Sequence, residues 1–511
     1  MKMTKWIYSL LLVTLFTSCG KFLDDYSQDL VIPKTVQELD EVLLGNGYLP
    51  RKEVSELSKG GLTWWTHLLD DDINTVYEQI AVRGFLQMDQ FYFGYTTWQL
   101  EVGRSYNGLD LRNDNYDWEE LYRRINAMNI ILSEVDEMPQ NTENDKLTAK
   151  RVKGESYFLR AQYYLTLVNL YAPMYSLTSA EQTLGVPLKL THYVEYKKDN
   201  NTQFQRASVA AVYNQIVNDL KQSVEYLKNN DKNKTYRATE QAALLLLSRV
   251  YLYMQDWVNA EQAAQQVIDK NSMLVNYSSI NSDVAAINAD NAEIIFTQGP
   301  LNVQNVLTAR GGDFCVSADL YNSFSDDDYR KNLFFAREAY TDSIALSRKF
   351  TRGVQLSAVS DLFLLRVSEA YLNLMEAKAM QHKDDEARTL LNEFRRFRMS
   401  NVPQDLYVGY ELVDQIRNER RKEFCFEGHR WFDLRRYAIN NLYPLKKEIE
   451  RSYTVYNWDD KNKPVKTLIY KLDKDDLAYT FNIPKAVLDF DRTMPDNPRM
   501  VRKPIVEIPL N

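Results

Sequence analysis

Only three cysteines occur in 511 residues, and one of them, Cys19, directly follows the first apolar run of the chain. The other two, Cys315 and Cys425, are too few for a disulfide framework, and two buried free thiols are expected. Histidine is as sparse: four, at 67, 192, 382 and 429, with no two on one helix turn, so the spacings of zinc sites are absent. No G-x-S-x-G, Walker loop or G-x-G-x-x-G is present. The chain therefore carries no motif for catalysis, and neither a cofactor nor a metal is expected. Positive charge is not in excess, with 62 Lys and Arg against 70 Asp and Glu and a net charge of −8. A body of that sign repels nucleic acid and offers no polybasic path to anionic lipid. Glycine and proline total 31 residues, about 6 per cent, against a usual share near 12 per cent. So few breakers imply a mostly helical protein.

What is present begins at the N-terminus. Lys2 and Lys5 precede the run IYSLLLVTLF, and TSCG follows it at residues 17–20. A positive segment, a short apolar segment and small residues make a secretory signal over 1–18, too short to span a bilayer as a helix. Cys19 then has the position of a lipobox cysteine, which becomes the acylated first residue of the mature chain. At about 0.8 kcal/mol per buried methylene, two or three acyl chains give a permanent anchor. No second stretch of 18 apolar residues follows, so this anchor is the only membrane contact the sequence supplies.

The mature chain reads as one body over 19–511. Residues 36–44 make a short amphipathic helix with Val36, Leu39, Leu43 and Leu44 on one face. Between Gly60 and Trp118 the texture changes to aromatics interleaved with Asp, Asn, Gln and Gly, which predicts loops and short helices that present rings. Helical periodicity resumes at Trp118, with Leu121, Ile125, Met128, Leu132 and Val135 on one face and Pro139 as the stop. A repeated unit follows. Residues 239–270 pair a helix ending near Met254 with one beginning after Asp256, and residues 366–398 repeat the arrangement with Ala387 where Ala260 stood. Weaker copies pair 152–171 with 209–228, and 410–426 with 430–439. Two helices of this length with a small residue early in the second are the tetratricopeptide pattern. Residues 271–360 and 440–511 have no such period, and long irregular insertions in a helical scaffold are places to look for function.

Two acidic runs, Asp70 to Asp72 and Asp326 to Asp328, fit either a cation or acid–base site or, more simply, helix N-termini, where carboxylates cap free amides. The stretch IRNERRKEFCFEGHRWFDLRRY, 416–437, is the most charged helical text. Glu423, Glu427, Arg430 and Asp433 fall at spacings that let charges pair across turns over Phe424 and Trp431. An anion site built on Arg420, Glu427, Arg430 and Asp433 is the less favoured reading.

Over the whole mature chain these features resemble the SusD/RagB family of surface lipoproteins of Bacteroidetes. The resemblance rests on Cys19 with Phe22-Leu23-Asp24, on Asn126 and Asn129, on Gly154-Glu155 and Phe158 to Ala161, on Arg366 with Glu369 to Leu372, on Glu419-Arg420 with Glu427 to Leu434, and on Ile483-Pro484 before Asn497-Pro498. One departure stands at the end, where Arg499-Met500 replaces the usual Gly and aromatic after Asn-Pro. The resemblance implies a mainly α fold, a tetratricopeptide-like helix-pair scaffold whose irregular insertions carry the ligand surface. It divides the body into an N-terminal SusD-like part, 20–235, which holds the aromatic region 60–118, and a C-terminal SusD/RagB part, 236–511. It also implies a site at the outer face of the outer membrane, as a lid on a SusC-like TonB-dependent transporter. The lid would bind a glycan and deliver it unaltered.

Ligand residues vary within such a family, so the candidates come from texture alone: Trp98 first, with Tyr92, Tyr95 and Tyr106, then Trp64 and Trp65, and Tyr321 with Phe314 from the second insertion. A sugar stacks its C–H face on such rings while polar side chains bond its hydroxyls. The same rings suit an oligopeptide-binding lid of the RagB kind. A glycosidase, a third reading, requires two carboxyl groups about 5–9.5 Å apart in one cleft, and a helical scaffold without a small ligand is a fourth.

Overall fold

The computed structural model describes residues 33–50, 61–75, 90–109, 115–193, 204–229, 235–281, 283–303, 314–337, 344–345, 348–352, 355–356, 359–403, 406–457 and 463–510. The signal segment and Cys19 lie outside the described residues.

Helix dominates, as the scarcity of breakers predicted. After α1 (Val36–Val42) and α2 (Gln90–Thr96) come the long scaffold helices α3 (Tyr116–Glu134), α4 (Glu143–Tyr171), α5 (Val209–Leu227), α6 (Glu240–Tyr253) and α7 (Trp257–Lys270). Two short helices, α8 (Ala318–Asn322) and α9 (Tyr329–Phe334), precede α10 (Val367–Met380), α11 (Asp384–Arg396), α12 (Gly409–Phe424), α13 (Arg430–Ala438) and α14 (Lys485–Phe490). Their starts follow local chemistry. Thr142 and Asp145 form a reciprocal capping box on α4, and Ser208, Thr239 and Asp256 cap α5, α6 and α7 with their side-chain oxygens.

Of the expected helix pairs, α4 with α5, α6 with α7 and α10 with α11 pack against each other, whereas α12 and α13 touch little. Ala260, Ala263 and Ala264 are buried where α7 packs on α6, and the Ser248 hydroxyl donates to the Ala260 carbonyl at 3.1 Å. Small residues there let two backbones approach closely. Ala387 is buried at the equivalent place in α11. The pairs are joined to one another by ions as well as by apolar contact: Arg160 on α4 forks onto Asp219 on α5 at 2.8 and 2.7 Å, and Arg249 on α6 onto Glu369 on α10 at 2.6 Å twice.

The irregular segments contain short ladders that sequence periodicity did not show. β1 (Ile73–Thr75) pairs antiparallel with β5 (Phe314–Val316), which ties the aromatic region to the second insertion. Between them in sequence, β2 (Leu184–Pro187) pairs with β3 (Arg206–Ser208), and β4 (Ile294–Thr297) pairs with a later strand at Leu364–Arg366. Near the C-terminus Ile449–Tyr456 and Pro464–Leu472 form a hairpin, to which the exposed strand Val506–Pro509 adds an edge. The hairpin escaped notice because one of its inward positions is a charged residue: Ile449, Arg451 and Tyr453 alternate into the core, and Arg451 breaks the apolar pattern.

Both later cysteines are free thiols, as expected. Burial pushes the Cys425 thiol up to about 12, and Cys315, partly buried, is raised as well. No helix among the described residues is long and apolar enough to cross a membrane.

Candidate functional site

The aromatic region folds inward. Thr63 adopts a left-handed backbone, φ 55°, and its N–H donates to Asp117 Oδ1 at 2.8 Å. The adjacent Trp65 Nε1 donates to Asp117 Oδ2 at 2.6 Å, so one carboxylate in the first turn of α3 clamps the 3-10 turn Trp64–Leu68. Trp98 is left-handed too, φ 52°, and its indole N–H donates to the Leu69 carbonyl at 2.9 Å. With those polar ends satisfied, the rings can be buried at little cost.

Trp98 is therefore 1 % exposed, the largest correction to the sequence expectation of a stacking platform. Trp64, Trp65, Tyr95 and Phe314 are also buried, at 3 to 6 %. Tyr92, Tyr106 and Tyr321 are partly buried and packed on the core. Tyr92 meets Trp64 and Phe314 edge-on at 5.6 and 5.5 Å, and Tyr106 packs on Phe93 and Tyr453. Tyr321 contacts Phe335 and two cations, Lys331 and Arg337. The physical reason is that a loop without helical periodicity has no scaffold face to bury, so it builds a core from its own rings.

Two of these rings nevertheless reach a cavity. Trp65 stacks on Tyr95 at 5.1 Å and 17°, and packs on Phe481 at 4.7 Å. These three wall a cavity of about 240 Å³, with Glu101, Lys485 and Asp496 around it and Arg499 against it. Its size is below the ~300–1,000 Å³ of pockets that enclose drug-sized ligands, so it suits one unit of a longer chain. The carboxylates are occupied by the protein: Glu101 pairs with Arg104, Asp117 holds the Trp65 turn, and Asp496 accepts from Asn482 Nδ2 at 2.8 Å and from the Ile483 and Asn497 amides at 2.8 and 2.7 Å. Sequence reasoning did not single out as candidates Phe481, Lys485, Asp496 and Arg499, which line this cavity. The signal available was the Ile483-Pro484 and Asn497-Pro498 pair, which brackets the cavity wall. A second cavity, about 230 Å³, lies between Pro50, Gly61, Tyr116, Arg123 and Pro300, where the aromatic region meets the insertion that begins after α7.

The acidic runs have different fates. Asp328 caps α9 and accepts the Arg330 amide at 3.1 Å, the helix N-terminus that was expected. Asp70 to Asp72 do not start a helix. They are buried side by side, with carboxylate oxygens within 4.8 Å of one another. Asp71 accepts from Arg430 at 2.7 and 2.9 Å and pairs with Arg421 and Lys447, and Asp72 accepts from Arg421 at 2.7 Å. Protein cations thus stand where a bound cation would. Burial raises the Asp70 carboxyl well above its usual range, aided by repulsion from Asp72 and Asp71. The charges of Arg430 and Arg421 overcome burial at Asp71 and hold it well below that range.

The charged stretch 416–437 is structural, as favoured, but its pairs reach far beyond neighbouring turns. Glu423 accepts from Arg330 at 3.0 Å, Arg366 at 2.9 Å and Arg398 at 2.9 Å, all four side chains being fully buried. Glu427 binds Arg366 and Lys349, Glu419 binds Arg330 and Arg395, and the local pairs are Glu419–Lys422 and Asp433–Arg436. Despite the burial penalty, these arginines hold Glu419 and Glu423 well below the ordinary glutamate range.

Residues 67–252 match the SusD-like family described as starch-binding and associating with outer membrane, and residues 336–499 match the SusD family. No curated protein matches the chain. Among solved structures, a SusD-like carbohydrate binding protein from Bacteroides vulgatus is 20% identical over 90% of this chain and 98% of its own, with a TM-score of 0.67. A SusD superfamily protein from Bacteroides thetaiotaomicron is 21% identical over 91% and 100%, TM-score 0.68. Surface glycan-binding protein A from Bacteroides uniformis is 17% identical over 91% and 99%, TM-score 0.64. At these identities the likeness is one of fold.

Proposed function

The chain belongs to the SusD/RagB family, and from that premise we propose that it is a cell-surface protein that binds an oligosaccharide and passes it unaltered to a SusC-like TonB-dependent transporter, held on the outer membrane by acyl chains on Cys19. The observation that carries the binding step is the cavity walled by Trp65, Tyr95 and Phe481 with charged residues at its mouth. Apolar rings beside polar groups are what a sugar ring requires, since one face is C–H and the rim is hydroxyl. Two sugar binding or glycan binding proteins share the fold over nearly their whole length.

The glycosidase reading is disfavoured by the same geometry. An acid and a base must be free to exchange protons with substrate, and the three carboxylates at this cavity are already bound to donors of the protein. Buried Trp98 is no longer the residue to test. Calorimetric titration against plant, host and microbial polysaccharides, with Lys485→Ala in parallel, is expected to show one glycan bound and the rim variant weakened. Silence across the panel followed by heat from mixed oligopeptides would replace the glycan with a peptide.

A further inference from the structure

The departure noted in the sequence, Arg499 after Asn497-Pro498, lies at this cavity. Its guanidinium carbon sits 4.9 Å from the centre of the Phe481 ring. Among the described residues it has no carboxylate within ion-pair distance, and its Nε is enclosed without an acceptor. One terminal nitrogen makes two long bonds, 3.4 Å each, to the Trp98 and Ala478 carbonyls. The nearby Asp476 is already taken by Arg502 at 2.6 Å. Lys485 at the mouth likewise has no acidic partner among the described residues, whereas every carboxylate at the cavity is engaged. Among the described residues, the charged groups of the cavity left without an ion-pair partner are thus cationic, although the protein as a whole is acidic, and beside them Asn482 Oδ1 is a buried acceptor without a donor.

We infer that the sugar unit seated in this cavity carries a carboxylate, received by Arg499 and Lys485, while its ring packs against Phe481 and Trp65. A planar guanidinium matches a carboxylate in a forked pair, and enclosure strengthens that pair relative to water. The wall of rings favours an acidic sugar over a peptide end, because a C-terminal carboxylate needs no apolar face beside it. Burial and the like charge of Arg502 pull the Arg499 guanidinium down to about 10, the direction expected of a cation still lacking its counter-ion. This inference rests on the binding function proposed above.

The test uses the processed lipoprotein in detergent and matched probes: short galacturonic acid oligomers and the same oligomers methyl-esterified, sialyllactose and lactose, and trialanine and its amide. Calorimetry is expected to show an acidic sugar bound about tenfold more tightly than its neutral partner. Arg499→Gln and the rim variant Lys485→Gln, both with unchanged melting temperature, are expected to narrow that gap. If Arg499→Gln unfolds the protein, Lys485→Gln alone carries the comparison. Equal binding of acid and neutral forms, or a gap untouched by both variants, overturns the carboxylate inference and leaves glycan binding standing. Binding of trialanine alone, lost in its amide, overturns both in favour of peptide. No heat from any probe overturns the inference and removes the cavity as the glycan site.

Discussion

Glu423 shows how much of this protein rests on single side chains. It is fully buried and neutralises parts of three arginines at once. Glu423→Gln would leave those arginines with too little negative charge in a water-free interior, a change that costs about 3–5 kcal/mol in buried pairs. Urea unfolding at neutral pH is expected to show a loss of that size, and a loss below about 1 kcal/mol would mean the lattice redistributes its charge. The pH dependence has a definite sign. Because Glu419 and Glu423 are depressed in the folded protein, their stabilisation is present above the ordinary glutamate value of 4.5 and is lost as pH falls through their lowered values. The difference between wild type and Glu423→Gln should therefore be constant at neutral pH and shrink only below about pH 4.5.

At the scale of elements, the turn after α2 controls the cavity. A side chain on Gly94 would overlap the backbone carbonyl of Val102, so the return of the chain from Tyr95 to Val102 is possible only over a bare α-carbon. Gly94→Ala is expected to cost about 3 kcal/mol, the upper end for overpacking, and to loosen Tyr95 and Trp98. Near-UV circular dichroism should fall while helix content holds, and an unchanged aromatic spectrum would contradict this account. Elements were legible in the sequence to the extent that they have a period. The pairs at 239–270 and 366–398 appear as α6–α7 and α10–α11 within a few residues. The aromatic region has no period, and composition alone could not tell a ring that faces solvent from one whose polar end bonds to the backbone, as in Trp98. The candidate cavity was half legible for the same reason: Trp65 and Tyr95, which line it, were among the sequence candidates, while Phe481 and Arg499 come from a segment some four hundred residues away.

At the scale of the molecule, the two sequence parts are interlocked. Arg435 donates to the Ala172 carbonyl at 2.8 Å, the Phe481 amide to the Leu170 carbonyl at 3.0 Å, and Asn497 Nδ2 to the Tyr171 carbonyl at 2.7 Å. Arg206 reaches back to Asn497 at 2.8 Å. Calorimetry of the protein is expected to give one melting transition, and residues 20–235 alone no cooperative melt; two resolved transitions would separate the parts after all. The buried charge lattice has a consequence in descent as well as in stability. Each member is held by two or three others, so a lone replacement strands a buried charge, and lineages can alter the lattice only through coupled replacements. Lys485 at the cavity rim carries no such constraint, since among the described residues it has no acidic partner. A descendant of this chain can thus change the position of Lys485 in a single step, while the lattice changes only in concert.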